Sequence, residues 1–190
     1  NYKISTDNAL ISGGVSVDNL KVSMNKEKGN LSVYSTASSF GHTFDYSREK
    51  DESLDINVIS SDDITYFVGQ NHVAKKLLSD GSLDFKSVRN LNDMTADINI
   101  KLKDFVLINT PASLKLLSLP SISGLVSIAE GESGIRFGYG EISYLESDNS
   151  FSDINAYAVS DSLGLVMEGS IDRDKKEIDM LGEISPMHIV

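Results

Sequence analysis

The chain has 190 residues, 40% of them hydrophobic and 24% charged, so it folds and suits one domain or an elongated piece of a larger protein. Its net charge of −11 repels phosphate backbones and anionic headgroups, which argues against nucleic acid and against electrostatic docking on a membrane. With no cysteine there is no disulfide, thiolate zinc site or cysteine nucleophile, and no apolar run approaches the roughly 18–20 residues that span a bilayer as a helix.

In chain order, Tyr2–Ile11 alternates weakly and ends at the turn signal Ser12-Gly13-Gly14. Val15–Asp18 begins a strand that Leu20–Met24 continues with its phase shifted by one. Such a shift changes faces unless a bulge or bend intervenes. Asn25–Asn30 reads as a polar turn and Leu31–Ala37 as a third strand. Phe40–Glu52 reads as a loop or a poorer strand ending in a solvated charge cluster, Arg48–Glu52. Ser53–Ile59 alternates well. Helix-like spacing then runs over Asp62–Leu78, with N-cap candidates at Ser60–Asp63, Lys75 and Lys76 near its end, and Asp80-Gly81 as the stop. Leu83–Lys86 returns to strand.

The second half follows the same order. A long alternating strand, Ile98–Ile108, leads to Thr110-Pro111, an N-cap followed by proline at the first helical position. Two short apolar helical pieces follow, Ala112–Leu119 and Ile122–Glu130, separated by Pro120-Ser121. Strand–helix–strand thus occurs twice about 45 residues apart, as in an internal repeat. Ile135–Tyr139, Ile142–Tyr144 and Ile154–Ala158 are short strands, the last two flanking an Asp148-Asn149 turn. Leu163–Ile171 and Ile178–Ile184 form a closing hairpin. Strands of this length run about 27–36 Å, long for a globular domain. The fold class expected is mainly β with short helices (α+β), built on long antiparallel strands whose single glycines suit a strongly curved sheet. The expected extent is a single segment, 1–190, with possible units 1–90 and 91–190.

Catalytic signatures are sparse. His42, His72 and His188 lack companions at metal-ligand spacing, and there is no Gly-x-Ser-x-Gly elbow or phosphate-cradling glycine loop. Asp172, Asp174 and Glu183 fit positions 1, 3 and 12 of a calcium loop. Lys176 and Glu177 occupy the places that need an oxygen ligand and a glycine, so Asp172–Lys176 reads as a hairpin turn. The expectation is a non-enzymatic protein with no cofactor or metal. The informative feature is the apolar strand faces, which are either an ordinary core covered by the helical pieces or a partly open surface for acyl chains.

A run of short motifs in fixed order carries a family resemblance. They are Leu102–Pro111, Leu116–Leu119, Ser123-Gly124-Leu125, Gly134–Phe137, Ser162–Leu165, Glu168–Asp172 and Ile178–Gly182 with Pro186, preceded by the helical Asp62–Leu78 and Gly81-Ser82-Leu83. In this order the chain resembles the C-terminal region of the AsmA-like family of bridge-like envelope proteins. The resemblance covers about half the chain and is vaguer before residue 53. It implies a long, strongly curved antiparallel sheet forming a groove with an apolar inner face, in a periplasmic segment of an inner-membrane-anchored Gram-negative protein. The implied role is phospholipid movement between membranes and outer-membrane homeostasis. Membrane attachment is expected through parts outside this chain, and other envelope proteins are possible partners. The acyl-chain contacts expected on the inner face are Ile98, Ile100, Leu102, Ile154, Ala156, Leu163, Leu165, Met167, Ile178 and Met180. Two rivals stand beside this reading: a lipid hydrolase, and a structural module whose sheet edges bind a partner without lipid cargo.

Overall fold

A computed structural model of the chain describes residues 1–11, 15–65, 78–108 and 134–186. They form one antiparallel sheet of twelve strands: β1 (Tyr2–Ile11), β2 (Val15–Glu27), β3 (Asn30–Ser39), β4 (His42–Lys50), β5 (Leu54–Ser61), β6 (Leu78–Ser79), β7 (Ser82–Asn90), β8 (Ala96–Ile108), β9 (Gly134–Ser147), β10 (Ser150–Val159), β11 (Leu163–Asp172) and β12 (Glu177–Pro186). The long strands lie side by side in chain order, and the two-residue β6 adds to β8 beyond the start of β7. Among the described residues β1 and β12 each pair on one side only, so the sheet is open at both edges. It runs without a break across the 90/91 boundary, because β7 pairs with β8 over Ser82–Arg89.

Tight turns make this meander possible. Lys28-Gly29 and Phe40-Gly41 both have positive φ at both positions (48° and 90°; 48° and 89°). That backbone twist matches the right-handed twist of the flanking strands. Asp172–Lys176 is the hairpin turn expected, and the Lys175 amide donates to the Asp172 carboxylate at 3.0 Å. The phase shift in Val15–Met24 is a bulge within one strand. Asn19 has φ 53°, and the register of β2 against β3 slips between Asp18 and Lys21.

Several expectations need correction. Phe40–Glu52 is mostly a full strand, β4, paired on both sides. Its charged end is not simply solvated. The Arg48 guanidinium grips Asp55 of β5 with two bonds, at 2.8 and 2.6 Å, and Asp55 is buried. Ile135–Tyr139 and Ile142–Tyr144 are one 14-residue strand, β9. Leu78, expected in the last helical turn, opens β6 and pairs with Leu107. The rest of that helix beyond Thr65, the pieces at Ala112–Leu119 and Ile122–Glu130, and with them the repeat they defined, lie outside the described residues, as do His72 and His188.

The Arg48–Asp55 pair makes a testable contribution. The two hydrogen bonds from Arg48, followed in effect by its charge and that of Lys50, outweigh burial and hold the Asp55 carboxyl below its ordinary value. A depressed carboxyl stabilises the fold above the unfolded-state value of 3.8, and that stability drains away as pH falls through the lower folded value. Asp55→Asn is expected to cost about 1–2 kcal/mol at pH 7, reduced by the third of Arg48 left in solvent. It should also flatten the acid limb of a stability–pH profile measured by urea denaturation.

Cross-strand pairing fixes which residues share a face, since partners point the same way and neighbours in a strand point oppositely. One face carries the core. Ile64, Leu83, Leu102, Phe105, Ile135, Phe137 and Leu163 form its buried cluster, at the end of the sheet where residues 65, 78, 108 and 134 bring the chain in and out. Leu102 and Phe105 are three apart yet join the same cluster, because Asp104 between them has φ 54° and steps the alternation by one. The Phe105 and Phe137 rings stack at 5.4 Å and 16°. Phe105 lies over Gly140, where any Cβ would come within 3.0 Å of the ring.

Candidate functional site: two faces of the central strands

All ten residues expected to contact acyl chains fall on the face that carries the core. Leu102 lines up with Leu83 on one side and Gly140 on the other, then Ala158, Leu165 and Ile184. The next row runs Ile59, Phe85, Ile100, Ile142, Ala156, Met167 and Gly182. Ile98 sits one step further along β8. Ile154, Gly169 and Met180 make a third row across β10–β12, while Ile178 opposes Ile171. The register therefore brings the ten onto one surface across five strands, where sequence supplied only separate alternations.

Exposure divides them. Ile98, Leu102, Ile154 and Leu163 are buried, and Leu102 and Leu163 belong to the core cluster, with Ile100 and Leu165 packed against it. Ala156 and Met180 are half-buried, whereas Met167 is 43% and Ile178 72% exposed. The surface thus opens progressively toward the β12 edge, where Ile184 adds another exposed side chain. Gly169 and Gly182 lower the floor between the larger residues, and a Cβ at Gly169 would collide with the Asp179 carbonyl and sit 2.8 Å from the Met180 Cα. Phe105, Phe137, Ile142 and Phe85 share this face but were not anticipated as contacts. Their signal, the step at Asp104 and the continuity of β9 through its glycines, is a backbone feature that apolar alternation does not carry.

Toward the other end of the strands the same face turns polar. Tyr46 donates to Asn57 at 3.0 Å, Arg48 holds Asp55, and Arg89 pairs with Glu146 at 3.2 Å. The apolar rows are bounded by paired charges on that side and by the core on the other.

The opposite face of the same strands is polar and partly aromatic. Glu141 is its hub. Its Oε2 accepts from the Tyr139 hydroxyl at 2.8 Å and the Tyr157 hydroxyl at 3.0 Å, and its Oε1 accepts from the Asn99 amide at 2.7 Å. The two tyrosine rings lie 5.7 Å apart, tilted by 38°. The hydrogen bonds from Asn99 first, then from Tyr139, hold the Glu141 carboxyl below its ordinary value. The bond to Glu141, reinforced by burial, pushes the Tyr139 phenol well above the ordinary phenol range, since ionising it would break that bond and set two anions together. Glu141→Gln is expected to bring the Tyr139 titration back toward about 10. A pH titration of the ring resonances by NMR reads this directly, with Tyr139 becoming the phenol that moves most.

A shallow depression of about 490 Å³ lies on this polar face beside the Glu141 cluster, over β7–β10. The described residues hold no group of three His, Asp or Glu side chains placed to bind a metal ion. His42, at the β4 start, sits 3.4 Å from Asp62 and 3.7 Å from Asp63, while the single proton of the nearby Ser61 hydroxyl is shared between the main-chain carbonyls of Thr43 at 2.9 Å and Asp63 at 3.0 Å. Comparison with protein families, with curated proteins and with solved structures finds no match to the chain.

Proposed function

We propose that the apolar face of β8–β12 binds phospholipid acyl chains and that the chain is a periplasmic, non-enzymatic segment of an AsmA-like envelope protein that moves lipid between membranes. The observation that carries this reading is the continuity of the apolar rows combined with their rising exposure, from buried Ile98 and Leu163 to open Met167 and Ile178. Five strands at about 4.8 Å spacing give the face a width of roughly 19 Å, enough to support most of an acyl chain laid across them. Each methylene taken out of water there contributes about 0.8 kcal/mol. In this reading the sheet curls into a groove and the headgroup stays in solvent. Headgroup selectivity is then low, because Met167, Ile178 and Met180 have no cation among their paired neighbours on that face.

The test is lipid content. The protein purified from bacteria is extracted with organic solvent and bound lipid identified by mass spectrometry. Near-stoichiometric phospholipid is expected. Met167→Asp should reduce it roughly tenfold or more by burying a charge under the chain while leaving the circular dichroism spectrum unchanged, since Met167 is 43% exposed. Leu165→Asp is the poorer probe, because Leu165 packs on the core and its loss would unfold the protein as well. Folded protein without lipid contradicts the proposal. The two edges that are unpaired among the described residues favour a second reading, in which β1 or β12 takes a strand from a partner protein. Co-purification of a stoichiometric protein in place of lipid would support it.

A further inference from the structure

We propose that the polar face of β7–β10, on the side of the sheet away from the acyl-chain surface, is a binding site for a neutral oligosaccharide. The register builds the site. Lys86, Asn99, Ser143 and Asn155 stand in one row across the four strands. Val88, Asp97 and Leu145 stand in the next, one residue pair along. At the rim, Asp153 has φ 51° and the register of β10 against β9 slips between Ser152 and Asn155, so a bulge bends the strand around the depression. The short Asn99 and Ser143 side chains lie between longer neighbours, which leaves the shallow space of about 490 Å³.

The chemistry of this surface selects its ligand. Lys86 and Asp97 enter no hydrogen bond or ion pair among the described residues, so both are free to meet a ligand, and Asn155 spends only its amide, on the Asp153 carbonyl. Donors and acceptors therefore alternate over a floor whose apolar parts are Val88 and Leu145, with the intervening pair Ile98 and Tyr144 completing the lining. Asn99 also links the depression to the Tyr139–Tyr157 pair through Glu141, and that network fixes the side chains before anything binds. An anion would face Asp97 and Asp153 on a chain of net charge −11. An acyl chain would strip water from Lys86 and Asp97 without replacing it. A sugar chain meets both demands, because its hydroxyl pairs bond to amides and carboxylates while its C–H faces rest on aliphatic and tyrosine surface. The open, shallow form suits a chain of sugar units lying across the strands rather than one enclosed ring.

The experiment is an NMR titration of the isotopically labelled protein with cellohexaose, chitohexaose and maltohexaose, each to about 10 mM. At least one is expected to shift the amide signals of Lys86, Asp97, Asn99, Ser143 and Asn155 together. Asp97→Ala and Asn155→Ala, both at exposed positions, should each weaken that binding roughly tenfold with the spectrum otherwise preserved. Met167→Asp, on the other face, should leave it unchanged, so this proposal and the acyl-chain reading stand or fall separately. No shift from any of the three sugars overturns the proposal. So do shifts that survive both substitutions, and so does perturbation of the same residues by an extended peptide when the sugars have no effect.

Discussion

Phe137→Ala is expected to cost about 3–5 kcal/mol, a large share of the roughly 5–15 kcal/mol by which a folded domain is stable. Phe137 is fully buried, stacks on Phe105 at 5.4 Å and lies at the centre of the cluster that includes Leu102, Ile135 and Leu163. Truncation removes the transfer energy of the ring and leaves a cavity that two long strands, paired along their length, have little freedom to close. Urea denaturation of wild type and variant reads the effect as a lower midpoint at unchanged slope. Met167→Ala, in the exposed part of the same face, should move that midpoint little, so the pair of variants separates core from open surface.

Gly81→Ala carries the second large effect, about 2–4 kcal/mol. Gly81 has φ +82° between β6 and β7, where an L side chain is strained. A Cβ there would also run into the Lys103 carbonyl oxygen and come within 2.8 Å of the Phe105 amide nitrogen. The backbone of β8 would have to retreat just where Asp104 steps the alternation, and the Ile64 amide, bonded to the Gly81 carbonyl at 2.7 Å, would lose its place. Hydrogen exchange should show the loss as early opening of Ser79, Val106 and Leu107, ahead of strands β2–β4.

Where alternation was strong and one-sided, sequence carried the structure. The closing hairpin, the Asp148-Asn149 turn and the bulge after Asp18 were all legible, the last because a phase shift inside one apolar run has few physical solutions. Strand β4 was not, because its inward residues include Tyr46, Arg48 and Lys50, whose partners Asn57 and Asp55 arrive from β5. A face satisfied by pairing rather than by burial leaves no hydrophobic period. Strand β9 looked broken because Gly138 and Gly140 resemble punctuation, yet Gly140 is small to admit the Phe105 ring. The ten residues expected to contact acyl chains share one face, but alternation could not rank their exposure. Alternation gives Leu163 and Ile178 equal standing, while the fold buries the first and leaves the second 72% exposed. The polar site across β7–β10 was invisible for a different reason, since Lys86, Asn99, Ser143 and Asn155 come from four separate strands and only the register makes them neighbours.

The most direct test of the acyl-chain surface is photo-crosslinking with a phospholipid that carries a diazirine in its acyl chain, followed by peptide mass mapping. Met167 and Val166 are adjacent in β11 and both exposed, at 43% and 57%, but they point to opposite faces; in β12 the half-buried Met180 and the exposed Leu181 likewise point to opposite faces. Adducts concentrated on Met167, Ile178 and Met180, with Val166 and Leu181 left clean, are the predicted result. Equal labelling of both faces, or labelling of Val166 and Leu181 alone, would contradict it.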